Sequence, residues 1–109
     1  MNLVQELFNK TSMLTPTIKR LANEGERLAK AERDYKIKLR QEALKLRADG
    51  MAIGMIDKTI YGIPEIANLR FERDLADTLY KTALEYLNTL KLEIRVLQNQ
   101  VDKEWNNSQ

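Results

Sequence analysis

The clearest pattern in the chain is a stripe of apolar positions three and four residues apart near its C-terminal end: Tyr80, Ala83, Leu87, Leu90, Ile94, Leu97 and Val101. This is one face of a helix, held for about three heptads. No Gly or Pro follows Pro64, and Leu, Glu, Lys, Arg and Ala fill the positions between, so local propensity agrees with the periodicity. One long helix is therefore expected over about 65–106. Pro64 suits its first position, and Glu65 places an acid in the first turn, where the helix dipole favours one. Upstream the stripe continues through Ile66, Leu69, Ala76 and Tyr80, with Arg73 intruding. At 1.5 Å per residue such a helix runs roughly 60 Å, so its partner must be long too.

The partner is expected over about 16–48. Thr15 followed by Pro16 is a helix start signal, and Asp49-Gly50 a stop that tolerates a left-handed conformation. Its inward face reads Ile18, Leu21, Gly25, Leu28, Glu32, Tyr35, Leu39, Glu42 and Leu46. Gly25, flanked by Ala22 and Ala29, permits close approach of another backbone, while Glu32 and Glu42 are read as seam-edge carboxylates. A short helix over about 2–10, capped by Asn2, presents Leu3, Val4, Leu7 and Phe8 and is too short to stand alone. If the long helices pack antiparallel, the last overhangs, and the first helix fits there, with Leu3, Leu7 and Phe8 near Val101 and Trp105. Trp105 is then expected to anchor that end.

The segment between Gly50 and Pro64 does not read as a linker. It carries Met51, Ile53, Met55, Ile56, Ile60, Tyr61 and Ile63 and only two charges, Asp57 and Lys58, whereas a water-exposed connection should be polar. A short helix over about 51–61 that folds back onto the hairpin is one reading. Flexible Met beside Ile and Tyr also suits a docking surface for a partner or a second copy. A second apolar line, Phe71, Leu75, Leu79, Tyr86 and Leu92, widens the stripe beyond what a two-helix hairpin needs. Together these give an all-α expectation: a single domain, 1–109, built as a long antiparallel, coiled-coil-like hairpin with a short N-terminal helix and an apolar, partly helical turn, completed by dimerisation. Met51, Ile53, Met55, Ile56, Ile60, Tyr61, Phe71 and Leu75 are the candidate partner or self-interface.

Charge and residue usage narrow the chemistry. Charged residues make up 31% of the chain and nearly balance, which suits the solvated faces of long helices. There is neither His nor Cys, so disulfides, thiolate chemistry, the usual zinc sites and His-based triads are excluded. The best carboxylate cluster, Glu72, Asp74 and Asp77, lies among Arg70 and Arg73 at helical spacing, the pattern of a salt-bridged surface. No phosphate-binding loop appears. No catalytic residue, cofactor or metal is expected, and the chain is read as a non-enzyme. No run of eighteen apolar residues and no signal segment is present, so a cytoplasmic protein without a membrane span is expected.

The basic residues are not spread evenly. Within Lys30 to Arg47, seven bases face only Glu32, Asp34 and Glu42, and Arg33, Lys36, Arg40 and Arg47 fall near one helix face. Clustered basic charge is the footprint of nucleic-acid contact, although a net charge of +2 and the lack of interleaved aromatics favour a solvated face. An acidic protein surface is an equally suitable partner.

The run from Asn68 to Trp105 carries Leu69-Arg70-Phe71-Glu72-Arg73-Asp74-Leu75-Ala76 and Lys91-Leu92-Glu93-Ile94-Arg95-Val96-Leu97, and closes on Glu104-Trp105. It resembles small helical proteins encoded by phages and prophages of Gram-positive bacteria, as do Met55-Ile56-Asp57-Lys58 and Gly62 before it. The resemblance covers the C-terminal half. It implies a phage-encoded accessory protein acting by binding in the host cytoplasm, with no catalytic residues to carry over. Secreted helical hairpins with a Trp-x-Gly turn are similar in length, but this chain has no Trp in its turn. The leading expectation is a homodimeric protein-interaction module that inhibits or adapts a host or phage nucleic-acid machine, a defence nuclease included, in the manner of an anti-CRISPR protein. A direct nucleic-acid binder and a small virion assembly or scaffold component are the alternatives.

Overall fold

The computed structural model describes residues 2–108; the outermost residue at each end of the expected 1–109 domain lies outside the described residues. The fold is all-α, a helical hairpin. Its helices are α1 (Leu3–Ser12), α2 (Leu14–Ala48), α3 (Ile53–Thr59) and α4 (Pro64–Ser108), with a single 3-10 turn, Ile60–Gly62, between α3 and α4. No strand occurs among the described residues. Packing gathers the chain into two compact units, Glu24–Tyr80 and Met1–Asn23 with Lys81–Gln109. Both long helices pass through both units.

In the unit Glu24–Tyr80, α2 and α4 run antiparallel. Gly25 faces the Tyr80 ring, Tyr35 lies under Arg73, and Lys38 reaches Glu65 at 3.3 Å, so partner numbers fall on α4 as they rise on α2. The core is Tyr35, Ile60 and Ile66, with Leu39, Ala43, Leu46, Ile63 and Leu69 packed against it. Ile66 is fully buried. Arg73, the polar intruder of the α4 stripe, is satisfied on both sides. Its guanidinium sits 4.7 Å above the Tyr35 ring and bonds the Asp74 carboxylate at 2.7 and 3.0 Å. The carboxylate it bonds is that of its own neighbour in sequence, Asp74. Glu42, also on the stripe, is nearly closed off from water and is ion-paired with Lys38 and Lys45.

The turn is built from both ends. Gly50 takes φ +91°, its N–H bonds the Arg47 carbonyl at 3.0 Å, and the Met51 N–H bonds the Leu46 carbonyl at 3.1 Å. This is a Schellman termination, which satisfies α2's last carbonyls with a glycine at the left-handed position. The chain then folds back as α3, and Ile56 and the 3-10 residue Ile60 enter the core side.

In the other unit, α4 presents Ala83, Leu87, Leu90 and Leu97 as buried residues, with Ile94 and Val101 half-buried beside them. The C-terminal stripe of the sequence is thus the seam. The first helix lies along this part of α4: Lys10 pairs with Glu93 at 2.7 Å, and Leu3 lines a small groove with Gln100, Lys103, Glu104 and Asn107. Asn2 caps α1 by accepting from the Gln5 N–H at 2.7 Å. Three local expectations fail. The break expected at Thr11–Thr15 shrinks to Met13, and α2 begins at Leu14, which puts Pro16 third in the helix; its missing N–H belongs to the first turn, where no partner is needed. Thr17, not Ile18, is the buried residue of that turn, because its hydroxyl donates to the Met13 carbonyl at 2.7 Å and so enters the interior satisfied. Trp105 is 66% exposed and anchors nothing. Among the described residues no helix is long and apolar enough to cross a membrane.

Candidate functional site

The fold-back of α3 brings together two groups that the sequence presents separately. Along one face of α2, Lys36, Leu39, Arg40 and Ala43 follow at spacings of three, one and three; opposite them stand Ile56, Asp57, Ile60 and Tyr61. Between them lies an open groove of about 330 Å³. Its floor is Leu39, Ala43, Ile56 and Ile60, and the small side chain of Ala43 leaves the room. Its rim is Lys36, Arg40, Asp57 and Tyr61. Thus half of the basic face and half of the apolar turn line one cleft.

The turn's apolar residues divide by burial. Ile56 and Ile60 are buried and Met51 is half-buried, whereas Ile53, Met55 and Tyr61 are exposed. Ile56 and Ile60, nominated as interface residues, are therefore core residues whose outer edges reach the groove; α3 is too short to hold its place without them. Ile53 and Met55 project to solvent from α3 without lining the groove; Met55, two residues before Asp57, lies on the opposite side of the helix. Tyr61 is steadied from α4, where the Arg70 guanidinium lies 5.2 Å from its ring centroid.

The four basic candidates also divide. Arg33 pairs with Asp34 at 3.1 Å and Lys36 with Glu32 at 3.4 Å, both on the exposed surface. Arg40 and Arg47 have no carboxylate partner among the described residues. They lie seven residues apart, on the same side of α2, about 10 Å from each other. The uncompensated positive charge of this face thus borders the groove.

Phe71 and Leu75 line a second, larger groove of about 670 Å³ on the same unit, with Arg27, Ala31 and Asp34 of α2 and Asn68, Glu72, Ala76 and Leu79 of α4. Phe71 is 66% and Leu75 47% exposed. Glu72 and Arg27 put opposite charges on facing helices there. Among the described residues, no three acidic side chains gather as a metal site would require.

Sequence reasoning assigned Leu39 to the seam alone and passed over Ala43 and Asp57. The register of Lys36, Leu39, Arg40 and Ala43 on one α2 face was available; what it faces depends on where α3 folds, which no periodicity states. Ile37 and Leu44, a heptad apart and both exposed, also went unremarked.

No protein-family model matches this chain, nor does any curated protein or solved structure.

Proposed function

We propose that this protein acts by binding another protein, not by catalysis. The observation that carries the reading is the row of large apolar side chains left in water on one compact unit: Ile53, Met55 and Tyr61 at the turn, Phe71 and Leu75 on α4. Side chains of this size, clustered beside grooves and bordered by charge, are what an interface presents before its partner arrives. The absence of His and Cys from the sequence removes the commonest catalytic groups. In this reading the Phe71 groove serves self-association into a homodimer, since Arg27 and Glu72 can meet their opposites across a two-fold axis. The α2–α3 groove receives the partner. In the phage setting that the C-terminal resemblance implies, the module inhibits or adapts a nucleic-acid machine in the host cytoplasm.

The test is a photo-crosslinking amino acid at Met55, at Phe71 and, as a control, at the exposed Lys19, in cells that make the protein. Adducts to one distinct protein from Met55, and self-adducts from Phe71, with neither from Lys19, support the reading. A Met55 variant that forms no adduct refutes it. Direct nucleic-acid binding is the second reading, favoured by the unpaired Arg40 and Arg47 and weakened by the pairing of Arg33 and Lys36. Duplex binding that falls steeply with salt and disappears on charge reversal at Arg40 and Arg47 selects it.

A further inference from the structure

We infer that the α2–α3 groove is a receptor for an acidic amphipathic helix of a partner protein, with carboxylates on Arg40 and Arg47 and apolar side chains over Leu39, Ala43 and Tyr61. The inference rests on the reading of the chain as a protein-interaction module and names the chemistry of its partner.

Three features define the occupant. The first is charge. Lys36, Arg40 and Arg47 follow one side of α2; Lys36 shares Glu32, and the other two are without a carboxylate among the described residues. On the opposite wall the lining carries one acid, Asp57, and no base, so Lys36 and Arg40 face a single carboxylate and Arg47 extends the basic side beyond it. The border that remains is cationic, and its complement is a carboxylate-bearing edge.

The second is the floor. Leu39, Ala43, Ile56 and Ile60 offer an apolar strip, with the exposed Tyr61 at its edge. A phosphate backbone has nothing to place on such a strip. Tyr61 is its one ring, with Arg70 over one face, which leaves little for stacking successive bases. The apolar face of an amphipathic helix fits it.

The third is length. From Lys36 to Arg47 the wall spans eleven residues of helix, about 16 Å at 1.5 Å per residue, enough for about three turns of a docked helix. The bound segment then offers apolar residues at i, i+3 or i+4, and i+7, with Glu or Asp flanking them on one side.

The experiment uses the full chain and three fluorescein-labelled helical peptides of about 18 residues, long enough to hold a helix. All share the same Leu stripe, and their flanking positions are Glu, Gln or Lys. A labelled DNA duplex is the fourth probe, anisotropy is the readout, and light scattering records self-association at the same concentrations. The expected result is that the Glu peptide binds about tenfold or more tightly than the Gln peptide, the scale of one interfacial charge pair, and that the Lys peptide does not bind. Arg40→Glu removes that preference and Tyr61→Glu, at the exposed edge of the groove, weakens both remaining peptides, whereas Arg20→Glu, on an exposed part of α2, leaves binding unchanged. Equal binding of the Glu and Gln peptides, or failure of the Glu peptide, overturns the inference. So does tighter binding of the duplex that depends on Arg40, which assigns the groove to nucleic acid. Self-association that Tyr61→Glu abolishes and that blocks the peptides also overturns it, assigning the groove to a second copy. If the Glu peptide fails while Met55 still crosslinks to a protein in cells, the interaction-module reading stands and only the acidic-helix assignment falls.

Discussion

Two neighbouring apolar residues of α3 and its 3-10 extension should respond oppositely to the same substitution. Ile60 is 3% exposed and joins Tyr35 and Ile66 in the core, whereas Met55 is 52% exposed on the outer side of α3. Ile60→Glu loses the burial of the Ile side chain, about 1.5–3 kcal/mol. It also demands a carboxyl in an apolar site, which enters neutral; at pH 7 protonation costs about 3.7 kcal/mol, or 1.36 kcal/mol for each of the roughly 2.7 pH units above the ordinary glutamate value. The total, about 5–7 kcal/mol, is comparable with the whole stability of a small domain. Met55→Glu, exchanging one half-exposed side chain for another, should stay within about 0.5 kcal/mol. The assay is urea unfolding followed by far-UV circular dichroism for the wild type and both variants. The sign of the pH dependence is a second check. The new carboxyl's folded pKa is raised, so its penalty is absent below the unfolded value and grows as pH rises; Ile60→Glu should regain about 3 kcal/mol or more on acidification towards pH 4. If the two variants unfold within about 0.5 kcal/mol of each other, or if acid leaves the Ile60→Glu deficit unchanged, α3 is not docked through Ile60 and the floor of the groove is not as described. If the variants differ as expected, Met55→Glu becomes a clean reagent for function, since it alters the surface without altering the fold.

Other expectations test the elements around the site. Gly50→Ala places a Cβ at φ +91° and should destabilise by about 1–2 kcal/mol in the same urea assay, with the loss confined to the turn in hydrogen exchange. At Gly25 a Cβ meets the Tyr80 Cε1 at 3.3 Å; because that ring is only half-buried it can yield, so Gly25→Ala should be neutral to stabilising, up to the helix-propensity gain of about 1 kcal/mol, while Gly25→Leu should destabilise. The hydrogen bond and charge of Glu93 hold the Lys10 ammonium above the ordinary lysine range, so its contribution is complete at neutral pH and is lost as pH rises through the raised value; hydrogen exchange of α1 should rise there in the wild type and lose this dependence in Lys10→Met. Trp105, standing in water, should emit at the red end of the indole range and shift little on unfolding; a large shift would place it in a packed site.

The parts of this structure that follow a period were legible, and the parts that depend on a fold-back were not. The α4 stripe from Tyr80 to Val101 faces inward along its whole length because six successive spacings of three and four leave a helix one way to bury it. Asp49-Gly50 announced the Schellman stop because few residues but Gly accept that conformation cheaply. Thr15-Pro16 misled: a Thr-Pro start signal and a Pro third in a helix look alike in sequence, since neither position needs the missing N–H. Trp105 misled for another reason. Size and hydrophobicity argue for burial, but a position near a helix end is buried only if something reaches it, and α1's outward Phe8, 70% exposed, does not. Seven bases in Lys30 to Arg47 were visible as a cluster, yet which of them remain unpaired was not, because Arg33 turned to its neighbour Asp34 and Lys38 crossed to Glu65 on α4.

That last division bears on function more than the cluster itself. A basic face read from sequence counts charges, whereas a partner meets only those that the fold has not already spent. Pairing occupies Lys30, Arg33 and Lys36 and ties Lys38 and Lys45 to Glu42, which among the described residues leaves Arg40 and Arg47. Two free guanidinium groups are few for a polyanion, whose affinity grows with the number of phosphates neutralised. In the proposed reading they suffice for a short segment that draws most of its affinity from apolar contact and its orientation from charge. Ile56 and Ile60 hold α3 against the core, which fixes Tyr61 in water across the groove from Arg40. Core and exposed residues therefore alternate within a single short helix and its 3-10 turn. A surface held in place by the core in this way is preorganised, so less ordering entropy is lost if a partner docks there.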